Sequence, residues 1–139
     1  MKPIDADHNG LYEIYATVDA MLYREAFLYP WFFEHYEYNT YGSIRDTGDP
    51  DGDGLTDLFL VNLEGEAIME SRRYDSYPDT IVWTYLWEVS HVKDEKFGDL
   101  DGDGLGEVLF YNQYRTGYQV FENVGDNQYE YKTLIPRNF

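Results

Sequence analysis

Three nine-residue windows concentrate the chemistry of this chain: DADHNGLYE from Asp5, DPDGDGLTD from Asp49 and DLDGDGLGE from Asp99. They hold three, four and four acids, so eleven of the 27 Asp and Glu residues sit in three short stretches. Carboxylates crowded in this way repel one another unless a cation draws them together. Calcium fits the pattern: it is a hard cation that takes six to eight oxygens at roughly 2.3 to 2.6 Å. A tightly curled loop supplies them from alternate residues. Side-chain oxygens come from positions 1, 3 and 5, which are Asp5, Asp7 and Asn9, then Asp49, Asp51 and Asp53, then Asp99, Asp101 and Asp103. The sharp turn at position 6 favours glycine, present as Gly10, Gly54 and Gly104. Position 7 gives a backbone carbonyl, from Leu11, Leu55 and Leu105, leaving each leucine side chain free to enter the core. Glu13, Asp57 and Glu107 at position 9 close the shell. The expectation is three calcium sites.

One such window would be a weak signal, because Asp, Asn and Gly also dominate ordinary turns. Three in the same register, each with the same Gly and Leu, are a strong one. The EF-hand needs a bidentate Glu at position 12 between two helices. Here position 12 is Ala16, Leu60 or Phe110, each in a strand-like run, which argues against the EF-hand and the helical dockerin loop alike.

The elements that must position these loops recur with them. The windows start 44 and 50 residues apart, a period typical of stacked supersecondary units. Each is followed by a short apolar run that reads as a buried strand: Ile14 to Val18, Leu58 to Asn62 and Val108 to Asn112. Further strands are expected over Ala67 to Tyr74, Ile81 to Val89, Gly117 to Asn123 and Tyr129 to Ile135. In the first unit they fall at Met21 to Leu28 and Trp31 to Tyr38, divided by Pro30. Turns are expected at 64–66, 75–79 and 124–127. Trp83, Tyr85 and Trp87 would share one strand face and Val82, Thr84 and Leu86 the other, with the aromatics packing between sheets.

From Phe97-Gly98-Asp99 to Phe110, a Phe-Gly pair, an acidic loop and an apolar strand follow in order. This resembles the FG-GAP and VCBS repeats of integrin-α-like β-propellers. The second unit keeps only Gly48-Asp49 of the pair. The resemblance implies an all-β chain of three four-stranded antiparallel propeller-type blades, each with a calcium loop joining its first two strands. The expected division is a single repeat domain over 1–139 with units near 1–44, 45–94 and 95–139.

Composition removes several functions. A formal net charge of −17 repels nucleic acid and anionic membranes, and no apolar run is long enough for a membrane-spanning helix. There is no cysteine, hence no disulfide and no thiolate chemistry. No nucleophile elbow, phosphate loop or H-E-x-x-H motif occurs. His8 falls at a loop position facing solvent, while His35 and His91 sit beside strands. The chain therefore reads as a non-enzyme: a calcium-binding module with a structural, adhesive or self-assembly role, extracellular or on a cell surface, where calcium is abundant. The alternative is a carbohydrate-binding, lectin-like module or a non-catalytic part of an extracellular enzyme, since its 15 Tyr and 3 Trp could stack on a glycan.

Three blades are fewer than the roughly 4 to 8 that close a propeller. Met1 to Ile4 reads as a stub of a strand, and the chain stops near Phe139 where another would begin. The expected partner is the chain itself, in a homo-oligomer or filament, or further blades of a longer polypeptide. The unpaired faces would carry Trp31, Phe32 and Phe33 at one end and Tyr129 and Tyr131 at the other.

Overall fold

The computed structural model describes residues 3–15, 21–26, 29–37, 43–61, 65–86 and 92–137, and of residues 3, 13–15, 21–26, 29–37, 43, 92 and 93 the backbone alone. Among them every regular element is a strand: β1 (Pro3–Ile4), β2 (Glu13–Tyr15), β3 (Met21–Ala26), β4 (Tyr29–Glu37), β5 (Ser43–Gly48), β6 (Asp57–Val61), β7 (Gly65–Ser71), β8 (Pro78–Leu86), β9 (Val92–Gly98), β10 (Glu107–Asn112), β11 (Gly117–Gly125) and β12 (Gln128–Pro136). The protein is all-β. Two four-stranded antiparallel sheets, β5-β6-β7-β8 and β9-β10-β11-β12, are built entirely from sequential neighbours. The N-terminal backbone pairs in the same order, β1-β2-β3-β4.

The strands expected after the loops are β2, β6 and β10, each starting one residue earlier than the apolar run, at position 9 itself. Residues 16–18 and 62 lie outside the described residues, as do Trp87 and His91. Pro30, read as a divider, lies inside β4 in the irregular stretch between the pairs Ala26↔Tyr29 and Glu25↔Phe33, where its missing N–H interrupts no regular ladder position. The turns are tighter than the sequence suggests. Gly65, Glu66, Pro78, Val124 and Gly125 all belong to strands, and β11 and β12 are joined by Asp126 and Asn127 alone, with Asn127 at φ 54°.

Two strands have no apolar signature: β5 reads SIRDTG and β9 reads VKDEKFG. They lie side by side where the two sheets meet. Polar contacts cross that boundary: Phe97 N–H donates to Asp46 Oδ2 at 3.0 Å and Arg45 Nε lies 3.6 Å from Glu95 Oε2, while the buried Glu95 Oε1 has no hydrogen-bond partner. Polar partners replace hydrophobic alternation as the reason these segments are extended.

The middle sheet is buried on both faces. Leu58, Leu60, Ala67 and Met69 pack with Ile44 and with Ala6 of the first acidic loop. The opposite face turns Phe59 and Ile68 towards Val108, Phe110, Phe121 and Tyr129 of the C-terminal sheet. Alternation along β6 and β7 sends neighbouring residues into two different cores. Trp83 and Tyr85 close the second core, within 5.1 to 5.6 Å of Phe121, as expected of inter-sheet aromatics. Tyr129, expected on an unpaired end face, is instead buried in that core, whereas Tyr131 is 52 % exposed. Side chains at 31–33 and at His35 are outside the described set.

Candidate metal centre

All three loops share one backbone. In each, position 6 N–H donates to the second oxygen of the position 1 Asp: Gly10 to Asp5, Gly54 to Asp49 and Gly104 to Asp99, at 3.0, 3.0 and 3.1 Å. Position 7 N–H donates to the position 5 side chain: Leu11 to Asn9, Leu55 to Asp53 and Leu105 to Asp103, at 2.7, 2.7 and 2.8 Å. The position 6 glycines have φ between 87° and 89°, a region that strains any residue with a Cβ. Position 4 is also left-handed, as His8, Gly52 and Gly102.

The loops stack in a row by a repeated contact. Position 8 of one loop meets position 2 of the loop before it: Thr56 Oγ1 donates to Ala6 O at 3.1 Å, and Gly106 lies so close to Pro50 that a Cβ would collide with the Pro50 carbonyl. Position 8 carbonyls are likewise capped by the third strand of their own sheet, Thr56 by Ser71 N–H and Gly106 by Asn123 N–H.

The middle loop brings together acids that could hold a metal ion. Asp57 is completely buried and neither of its carboxylate oxygens has a hydrogen-bond partner. Burial, and then the charges of Asp51, Glu70, Asp49 and Asp53, push its pKa up to about 9. A buried carboxylate with two orphan oxygens among like charges costs several kcal/mol in the absence of a cation. Ligand atoms of Asp49, Asp51 and Asp57 lie within 4.8 Å of one another, as oxygens around one calcium would. Asp53 does not join that trio. It groups with Asp51, Glu70 and Asp126, again within 4.8 Å. Glu70 stands opposite Asp57 in the β6–β7 register, and Asp126 belongs to the β11–β12 turn of the next sheet. That turn is held against the loop by Asn127, whose N–H donates to Asp51 Oδ2 at 2.9 Å and whose amide donates to Glu70 Oε1 at 2.7 Å.

In the C-terminal loop all four acids, Asp99, Asp101, Asp103 and Glu107, come within 4.8 Å of one another. A cation of the protein's own is already beside them. Lys132 Nζ donates to Asp101 Oδ2 at 2.6 Å and to Glu122, and lies 3.8 Å from Glu107. Its hydrogen bond holds the Asp101 carboxyl below the usual range. Glu107 is buried, and its Oε2 accepts from Leu100 N–H at 2.6 Å.

In the first loop Asp5 and Asn9 take the shared positions, and Asp7 Oδ1 is buried without a partner. Glu13 opens β2 opposite Ile4. His8, expected to face solvent, is half-buried: its ring stacks on Tyr74 at 3.7 Å and Nδ1 bonds to Tyr74 O at 2.5 Å. Nor do the position 7 leucines enter the core. Leu105 is 43 % exposed and Leu11 and Leu55 are half-buried, because the following strand residues, Leu58 and Val108 among them, already fill it.

Glu70, Asp126, Asn127, Glu122 and Lys132 were not legible as site residues. Glu70 and Glu122 stand opposite position 9 in the same register, yet they follow it by different numbers of residues, so aligning the repeats does not superpose them. Several acidic groups here can hold a metal ion. No protein-family model matches the chain, and no curated protein or solved structure matches it.

Proposed function

We propose that this chain is a calcium-binding repeat module of the FG-GAP or VCBS kind, in which three propeller-type blades each carry a calcium loop. The observation that carries this reading is Asp57: a fully buried carboxylate, both oxygens unpartnered, within coordination distance of Asp49 and Asp51. A divalent cation there replaces mutual repulsion with attraction. Asp7 Oδ1 in the first loop gives the same indication. The repeated contact between successive loops supports the blade reading, because it is the translation of one unit onto the next.

The cation's role is structural. It would join loop to strand at the end of each sheet, with Asp5, Asp7, Asn9, Leu11 and Glu13 as the first set. Asp49, Asp51, Leu55 and Asp57 form the second, with Asp53 beside them and nearer Glu70 and Asp126, and Asp99, Asp101, Asp103, Leu105 and Glu107 form the third. Extracellular modules of this class bind calcium with dissociation constants of roughly 0.1 to 1 mM, which fits work outside the cell or on its surface. Its partner is another set of such blades, from a second copy or from a longer chain, in a structural, adhesive or self-assembling array. The module is not an enzyme. Thermal melting in millimolar calcium against excess chelator tests the reading. Saturating three sites at about 100 times the dissociation constant adds about 8 kcal/mol, comparable to the stability of a whole domain. A melt that chelator leaves unchanged overturns it.

A further inference from the structure

We propose that the calcium-free first loop modifies itself at Asn9-Gly10, converting the position 5 amide to a carboxylate, and that bound calcium prevents the reaction. This rests on the reading of the first loop as a calcium site and adds a covalent event at the residue that sets this loop apart from the other two.

Asn9-Gly10 is the one Asn-Gly pair in the chain. A backbone nitrogen that follows an Asn can attack that residue's Cγ to close a five-membered succinimide, and a side chain on the attacking residue obstructs the approach. Glycine has no such side chain. Here both residues are exposed, and nothing lies within 4 Å of where a Cβ on Gly10 would stand.

The hydrogen bonds of the loop place what the reaction needs. Gly10 N–H donates to Asp5 Oδ2 at 3.0 Å, so an acceptor for the nitrogen's proton is already in contact. Leu11 N–H donates at 2.7 Å to Asn9 Oδ1, the oxygen on which negative charge develops as Cγ is attacked, and a donor fixed there stabilises that charge. Asn9 Nδ2 donates to Asp7 Oδ2 at 3.1 Å, so both ends of the amide are held.

The bond between Gly10 N and Asn9 Cγ forms as the nitrogen's proton passes to Asp5. The Cγ–Nδ2 bond then breaks, and Nδ2 takes up that proton and departs as ammonia. Water opens the ring by one of two routes. Attack at Cγ restores Gly10 N–H and leaves an aspartate in place of Asn9. Attack at the main-chain carbonyl leaves an isoaspartyl link, with the backbone running through Cγ.

The aspartate product fits the loop, because Asp53 and Asp103 stand at the same position and accept the same bond from Leu55 and Leu105. It gives the first loop the four acids of the other two. The isoaspartyl product lengthens the backbone by one atom and takes the loop's donors out of register. With calcium held by Asn9 Oδ1 and Asp5, the amide can no longer turn towards Gly10 N, and the Asp5 carboxylate is neutralised as a proton acceptor.

Peptide mapping by mass spectrometry is the test, on the whole chain kept at neutral pH in excess chelator or in calcium at about ten times the dissociation constant. In chelator the peptide containing Asn9 should gain the mass of amide-to-acid conversion, while those containing Asn112, Asn123 and Asn127 stay unchanged. In calcium the gain should be about tenfold slower, because only about a tenth of the loops remain free. Asp5→Asn should slow the reaction in chelator. No gain at Asn9 in chelator overturns the proposal and leaves the calcium reading standing, and an Asp5→Asn variant that reacts as fast as wild type overturns it as well. Equal rates in the two buffers also overturn it, and if the melting temperature is then unmoved by chelator, the calcium reading falls with it.

Discussion

The middle and C-terminal loops have nearly the same nine residues and the same backbone, yet they present their acids to different surroundings. The middle loop is covered by the turn of the next sheet, which adds Asp126 and Asn127, while Glu70 faces Asp57 from across the strand pair. The C-terminal loop has no such turn against it among the described residues, and the acid facing Glu107, Glu122, is bound to Lys132. One loop has more negative charge than its own residues supply, and the other has a built-in counter-ion. Loop sequence sets the shape of the cradle; the neighbours set how strongly it wants a cation.

Asp57→Asn should give the largest effect, and its sign should depend on calcium. In saturating calcium the variant loses a site, costing about 2.7 kcal/mol or about 10 °C in melting temperature. In chelator the same change removes a carboxyl that must take up a proton to be buried, and should raise the melting temperature instead. Glu107→Gln should cost less in calcium, and in chelator it should not stabilise, because Glu107 already accepts a backbone bond and faces Lys132. If both variants behave alike in the two buffers, the loops do not differ as described.

The pH dependence of the calcium-free protein separates them next. Asp57 has its folded pKa raised from 3.8 to about 9, so between those values the native state holds a proton that the unfolded chain has lost. Stability in chelator should therefore fall as pH rises from about 4 to about 9, by at most about 1.4 kcal/mol per pH unit. Asp101 works in the opposite sense: its lowered pKa gives a contribution present above the usual carboxylate range and lost in acid. Denaturant melts in chelator across this range should lose the fall in Asp57→Asn and keep it in Lys132→Met. A wild type whose calcium-free stability climbs from pH 5 to 8 would contradict the assignment.

Lys132→Met removes the counter-ion from the C-terminal loop. Calcium affinity there should rise roughly tenfold, as expected from deleting a like charge a few ångströms from the ion in a partly solvated site. The middle loop should not respond, since Lys132 makes no contact with it. Calorimetry showing no gain at the C-terminal loop would mean that the ammonium simply swings away when calcium enters.

The loops were legible in the sequence because their chemistry is local: Asp, Gly and Asp at alternate positions fix both the donors and the left-handed turns. Strands such as β6 and β10 were legible for a similar reason, their apolar runs being buried on both sides. β5 and β9 were not, because their polar residues, Arg45 and Asp46 on one strand and Glu95 on the other, meet across the boundary between the sheets and leave no alternation to read. Glu70, Asp126 and Lys132 reach their loops only through strand register and sheet stacking, so nothing within nine residues announces them. Tyr129 misled for a related reason. A Tyr near the chain end reads as an edge residue until the two-residue turn at Asp126 and Asn127 aims it back into the inter-sheet core.

The smallest expected effect concerns the first loop, where charge count and surroundings make opposite forecasts. By charge it should be the weakest site, with Asn9 where the others have Asp53 and Asp103, and Asn9→Asp would then bring it level with them. The amide, however, already does something a carboxylate cannot: its Nδ2 donates to Asp7 Oδ2 at 3.1 Å while its Oδ1 accepts from Leu11 N–H. Asn9→Asp keeps the second bond and turns the first into a repulsion that only bound calcium relieves. The net gain in calcium affinity should be a few-fold at most, smaller than that from Lys132→Met, with a loss of about 0.5 to 1 kcal/mol in chelator. Calorimetry on a background carrying Asp57→Asn and Glu107→Gln isolates this loop. A gain at Asn9→Asp exceeding that at Lys132→Met would show that ligand charge within the nine residues, and not what lies against them, ranks the sites.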